Sequence, residues 1–303
     1  DDMMGALTAM IGAEKVKEFI ATRDCDFAYT FGSDTRLRGN ASFQRGMMCL
    51  TLRLIPKAKS FDELNLPPIL QTFATRKQGF FLVVGPVGQG KSTTLSALIN
   101  LINKERAAHI VTVEEPIEFV YAPDKSIVDQ REVGVDTKDF TTALKAVLRE
   151  DVNVILIGEM RSPETIAAAV TAAETGHLVF STLHTNNASQ TIDRIIDSFP
   201  PSQQDQIRVQ LSSSLLGVFS QRLIPRINGG RVPAFELLIN NNAVSNLIRE
   251  KRSHEIDTVI QTSSEQGMID MNRCLIELVQ KGEISMENAY QHSINPKALE
   301  QMM

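Results

Sequence analysis

The segment Gly85-Pro86-Val87-Gly88-Gln89-Gly90-Lys91-Ser92 matches G-x-x-x-x-G-K-[ST]; it follows the apolar run Phe80 to Val84 and precedes a helix-compatible stretch from Thr93 to Lys104. Glycines here let backbone N–H groups turn inward around phosphate oxygens, and the helix that follows presents its positive end to the same anion. Lys91 is then placed to reach the β- and γ-phosphates, and the Ser92 hydroxyl to contribute to a Mg²⁺ ion that bridges them. Gly85, Gly88, Gln89, Gly90 and Thr93 complete the candidate nucleotide contacts. The spacing predicts a nucleoside-triphosphate site.

Two further groups suit that chemistry. Val154-Ile155-Leu156-Ile157-Gly158-Glu159 is an apolar strand ending in a carboxylate, the layout that sets an acid beside Mg²⁺-bound phosphates, with Glu159 as that acid. Glu114-Glu115-Pro116-Ile117-Glu118 leaves the strand Ile110 to Val113, where one carboxylate could polarise an attacking water. His177 and His184 flank the strand Leu178 to Leu183. His184, with Thr182 and Thr185, lies at its carboxyl end, where a γ-phosphate sensor belongs, whereas His177 follows Gly176 and could simply complement a helix dipole.

These residues need a scaffold, and from residue 69 the pattern alternates strand and helix, which favours a mainly parallel sheet flanked by helices. The strands Phe81 to Val84, Ile110 to Val113, Val154 to Ile157 and Leu178 to Leu183 are apolar nearly throughout, as expected of strands buried on both faces. Phe140, Leu144, Val147 and Leu148 share one helix face; Pro163 to Thr175 reads as a second helix, with Ser162 as N-cap and Gly176 just past its end. After Asn240 the chain reads as short helices, including Ala243 to Glu250 and Asp270 to Lys281.

Residues 1 to 55 read as a small α+β unit, incomplete at its start: a helix over Ala13 to Ala21, then strands Asp26 to Phe31, Thr35 to Phe43 and Met47 to Leu54. The last alternates, with Met48, Leu50, Leu52 and Leu54 on one half-buried face. Residues 56 to 68, with Pro56, Pro67 and Pro68, read as a linker before a second domain over 69 to 303.

Composition narrows the setting. A formal charge of -5 over 303 residues, with no basic arm, argues against a nucleic-acid partner. No apolar run approaches the roughly 20 residues that span a bilayer, and no secretory leader opens the chain, so a cytoplasmic protein is expected. Cys25, Cys49 and Cys274 form no C-x-x-C pair and read as packing residues.

In order and spacing, GPVGQGKST, VEEPIEF, ILIGEMR and GHLVFSTLHT resemble the Walker A, Asp-box, Walker B and His-box of the secretion-superfamily hexameric ATPases. The likeness runs through nearly the whole chain, including REVGVDT, LRED, QRLIPR and AVSNLIRE. With AVSNLIRE and without a tetracysteine zinc site, it is nearest to the type IV pilus retraction motors. The resemblance implies an α/β fold, with a RecA-like P-loop ATPase domain behind a smaller PAS-like α+β domain. It also implies an ATP- and Mg²⁺-dependent homohexamer at the inner face of the cytoplasmic membrane. Its partners would be an inner-membrane pilus platform protein and, indirectly, pilin. Carried over by position, Glu118 is the catalytic base, Glu159 the Walker B acid and metal ligand beside Ser92, and His177 and His184 the His-box pair. Arg36, Arg38, Arg45 and Arg53 lie in the stretch from which such enzymes draw a phosphate-facing arginine, from a neighbouring subunit or the inter-domain contact.

Three positions depart from the pattern: Glu115 replaces a usual Asp, Ser162 replaces an Asp after Arg161, and Ser181 replaces a frequent Gly. Lys91 and Glu159 are retained, so an active enzyme is expected. The competing readings are an extension or secretion ATPase, a RecA-like DNA translocase and a non-hydrolysing accessory subunit.

Overall fold

A computed structural model describes residues 2–32, 35–55 and 58–302. Among them, the N-terminal part comprises α1 (Asp2–Thr22), interrupted at Gly12, and strands β1 (Asp24–Phe31), β2 (Thr35–Gln44) and β3 (Met47–Leu54), an antiparallel sheet in that order. There follow α2 (Gln71–Ala74), β4 (Gly79–Val84), α3 (Lys91–Glu105), β5 (His109–Glu114), β6 (Ile127–Glu132), α4 (Phe140–Val147), β7 (Val154–Ile157), α5 (Pro163–Glu174) and β8 (Leu178–Leu183). The chain continues through α6 (Ala188–Asp197), α7 (Pro201–Ser214), β9 (Leu215–Pro225), β10 (Arg231–Ile239) and α8 (Asn242–Arg249). It closes with α9 (Ile256–Thr262), α10 (Met271–Gln280), α11 (Met286–His292) and α12 (Pro296–Gln301).

The larger sheet has the order β10-β9-β4-β8-β7-β5-β6, parallel except where β10 runs against β9. Alternation along β4 shows why it sits at the centre. Phe80, Leu82 and Val84 join one apolar cluster, Phe81 and Val83 the other, and all are fully buried. A strand that is apolar on both faces must be covered on both. Here α2 and α3 cover one face, and α4, α5 and α6 with α7 and α8 cover the other.

Several expectations need correction. β6 was not anticipated, because an edge strand reading Ile127-Val128-Asp129-Gln130-Arg131-Glu132 buries little and carries polar side chains on both faces. The β9–β10 hairpin was missed too: Gln221 and Arg222 break its apolar run, although Asn228-Gly229 is a hairpin turn signal. Leu148 is not on the buried face of α4 but at its C-cap and exposed. In β3, Met48 and Leu50 pack toward Phe19 and Phe43, but Leu52 and Leu54 are exposed, because the buried core formed with α1 reaches only the first half of the strand. Within the stretch expected as a linker, Pro56 and Lys57 lie outside the described residues, while Phe61 and Leu66 are buried beside Leu70 and Phe73. The expected helix at 163–175 is found, with the Ser162 hydroxyl accepting from the Thr165 N–H at 3.3 Å. All three cysteines are free; Cys274 is buried, and burial pushes its thiol up to about 12.

Candidate nucleotide-binding site

β4 ends at the loop that leads into α3, and the loop's shape follows from its glycines. Gly85, Gly88 and Gly90 all have positive φ; a Cβ on Gly85 would fall 2.4 Å from the carbonyl oxygen of Gln221, so no other residue fits there. The loop opens into a cleft of about 550 Å³ at the carboxyl ends of the parallel strands, where open α/β sheets bind ligands. Gly88, Gln89, Gly90, Lys91, Ser92, Thr93, Glu118, Glu159, His184, Arg38 and Arg53 all line it, so stretches far apart in sequence converge.

Lys91, only 8 % exposed, donates from Nζ to the carbonyls of Gly85 at 2.8 Å and Pro86 at 2.9 Å. Burial draws its ammonium below the usual range, against the pull of Glu159 and Glu118. Nζ also lies 3.3 Å from Nδ1 of His184. An ammonium can only donate, so Nδ1 is the acceptor and the ring proton sits on Nε2, which faces Glu159 Oε1 at 3.4 Å. Glu159 in turn accepts from Arg161 at 2.9 Å. Burial works to raise the Glu159 carboxyl, but the Arg161 hydrogen bond and charge, with His184, outweigh it and hold it below the usual carboxylate range. His184 thus links the phosphate-loop lysine to the acid at the end of β7.

On the opposite wall, the Arg38 guanidinium lies 3.6 Å from Glu118 Oε1. Arg38 and Arg53 are direct cross-strand partners on β2 and β3. Like charges so placed repel, and an anion between strands and loop relieves that cost. Removing Arg53 by Arg53→Ala should therefore stabilise the nucleotide-free protein by about 0.2–1 kcal/mol, seen as a slightly higher thermal midpoint, yet raise KM for ATP. Differential scanning fluorimetry beside steady-state kinetics checks both signs. Arg36 is engaged elsewhere: it donates to Glu132 at 3.1 Å, and Glu132 accepts from the Ile117 N–H at 3.1 Å. These contacts dock the small sheet on its own chain's acidic loop, so Arg38 and Arg53 reach the cleft in cis.

Not every candidate arrives. Arg45 sits exposed in the β2–β3 turn, and His177 lies at the start of β8, its Nδ1 3.0 Å from the Ala172 carbonyl. Neither lines the cleft. Gly85 contributes its carbonyl to Lys91 from beneath the loop. Leu223 and Arg231 of the β9–β10 hairpin, Arg161 and Phe140 line the cleft without having been anticipated there. Glu114, at the end of β5, lines it too; burial pushes its carboxyl up to about 7, despite bonds from Thr112 Oγ1 and the Glu118 N–H.

The donor set suits Mg²⁺. This hard ion takes one or two protein oxygens and completes its octahedron with phosphates and water, and the Ser92 hydroxyl and Glu159 carboxylate face the same cleft.

The loop after β8 is held from behind. Ser220 Oγ donates to the Asn186 carbonyl at 2.8 Å, and buried Glu236 accepts from the Ala188 N–H at 2.8 Å, at the first turn of α6. Burial pushes Glu236 up to about 7. Between its ordinary value near 4.5 and about 7 the unfolded chain ionises while the folded one resists, so this group erodes stability as pH rises through that window. The loss is on the order of 3 kcal/mol, complete above about pH 7. Glu236→Gln keeps the acceptor; its thermal midpoint should match the parent near pH 4.5 and exceed it increasingly up to pH 7, as pH-resolved denaturation would show.

The fold and site together define a phosphate-loop nucleotide-binding protein, and residues 47–291 match the model of the type II/IV secretion system protein family. The chain belongs to that family. The twitching motility protein of Neisseria gonorrhoeae is 44 % identical over 301 residues, 99 % of this chain and 80 % of its own. The type IV pilus retractation ATPase PilT of Pseudomonas aeruginosa is 45 % identical over 282 residues, 93 % of this chain and 82 % of its own. The crystal structure of the pilus retraction motor PilT with bound ADP superposes with a TM-score of 0.93 at 45 % identity, covering 99 % of this chain and 86 % of that one. The ATPase DotB of Legionella pneumophila follows at 0.81 and 26 %, covering 95 % and 82 %.

Proposed function

We propose that the chain is an ATP-hydrolysing motor that drives type IV pilus retraction. The observation that carries this reading is the convergence of Lys91, Glu118, Glu159 and His184 on one phosphate loop, in a chain closely similar to proteins that bear that name. In this reading the loop N–H groups and Lys91 bind the β- and γ-phosphates, with Lys91 exchanging its bonds to Gly85 and Pro86 for phosphate oxygens. Glu118 orients the attacking water and accepts its proton, while Arg38 and Arg53 stabilise charge on the transferring phosphoryl. Ser92 and Glu159 would hold a Mg²⁺ ion, which would supply charge neutralisation at the phosphates.

The working form is a homohexamer. Residues 1–55 and 69–303, the latter carrying Phe61 and Leu66 of the intervening stretch in its core, are two bodies that close around ATP and part after hydrolysis, which is the motion delivered to a membrane platform protein. The motor acts in the cytoplasm, at the inner face of the cytoplasmic membrane; no described helix is long and apolar enough to cross it.

Electron microscopy of surface pili on source cells carrying Lys91→Ala tests the direction of work. Excess, non-retracting pili support retraction. Bald cells would make the protein an extension motor, and unchanged pili would point to secretion or another load.

A further inference from the structure

We propose that Gln221, which touches no phosphate position itself, is a positioning residue that sets the curvature of the phosphate loop from behind. The inference deepens the ATP-site reading and rests on it. Gln221 is 2 % exposed on β9, the strand that pairs with β4, with Val84 opposite Ser220. Its side-chain amide makes two short bonds: Oε1 accepts from Thr94 Oγ1 at 2.6 Å, and Nε2 donates to the backbone carbonyl of Gln89 at 2.7 Å. Gln89 answers from its own side chain, whose Oε1 accepts from the Leu223 N–H at 2.6 Å.

The second of the Gln221 bonds matters for chemistry. In a trans peptide the C=O and the following N–H point in opposite directions. A Gln89 carbonyl held against Gln221 therefore turns the Gly90 N–H inward, toward the space a phosphate occupies. A loop that aims its N–H groups at an anion must aim its carbonyls into protein, and each buried carbonyl needs a donor. Gln221 supplies that donor for Gln89. The glycines record how closely the residue is fitted: a Cβ on Gly90 would lie 2.9 Å from Gln221 Nε2, and one on Gly85 would lie 2.4 Å from its carbonyl oxygen.

The two bonds are separable by substitution. Gln221→Met removes both at similar volume, and Thr94→Val removes only the one facing away from the loop. Kd for ADP with magnesium is measured by calorimetry beside the thermal midpoint of each protein. Losing the loop-facing bond should raise Kd about tenfold in Gln221→Met, with Thr94→Val within twofold of the parent although it also lowers the midpoint. Gln221→Glu, which sets carboxylate lone pairs against the Gln89 carbonyl while keeping the acceptor for Thr94, should weaken ADP at least as much and serves where the methionine variant does not fold. An unchanged Kd in the Gln221 variants, or a Thr94→Val loss as large as theirs, overturns the inference while leaving the ATP site standing. Failure of the parent protein to bind ADP overturns both.

Discussion

Lys91→Ala is expected to lose ATP turnover by about 10²- to 10³-fold, the cost typical of removing one preorganised charge-stabilising donor. The defect should fall at productive phosphate binding, because Lys91 is the buried cation at the floor of the loop and its bonds to Gly85 and Pro86 show how near it lies to the loop's backbone. It should also break the link through His184 to Glu159, leaving Nδ1 without its donor. A phosphate-release assay reads the loss in turnover, and ATP titration reads the loss in affinity. Normal turnover by this variant would remove the loop from the chemistry.

Glu118→Ala should behave differently: it should bind ATP yet lose turnover by about 10²- to 10⁴-fold, the range for a positioned general base. The carboxylate stands on the cleft wall beside Arg38 and acts on Lys91 through its charge alone, so its removal leaves the bonds of the phosphate loop in place. Normal phosphate release would eliminate Glu118 as the base and turn attention to Glu114, whose buried carboxyl titrates near neutrality on the same wall. Fluorescent-nucleotide binding measured beside phosphate release separates the two steps.

What could be read in advance was local in sequence. The loop from Gly85 to Ser92 carries its own turn chemistry, and β4, β5, β7 and β8 announce themselves by mainly apolar runs. Ser162 capping α5 and Glu159 ending β7 are equally local. What could not be read depends on pairing between distant segments. Gln221 looks like a surface residue until the pairing of β9 with β4 brings it behind the phosphate loop, and Arg38 is distinguished from Arg45 only by the register of β2 on β3. His177 shows a different kind of failure. It matches a family motif, yet a six-residue strand separates it from His184, and at about 3.3 Å per residue the two must stand about 20 Å apart. The motif joins them; strand geometry does not.

The β9–β10 hairpin has a mechanical consequence. Its β9 edge pairs with β4, its side chains grip Gln89 and the first turn of α6, and its outer end packs with α10, α11 and α12 around Ile224, Val232 and Ala234. The hairpin is therefore a single hydrogen-bonded span with the phosphate loop at one end and the C-terminal helices at the other, so the packing of those helices and the shape of the loop share one support.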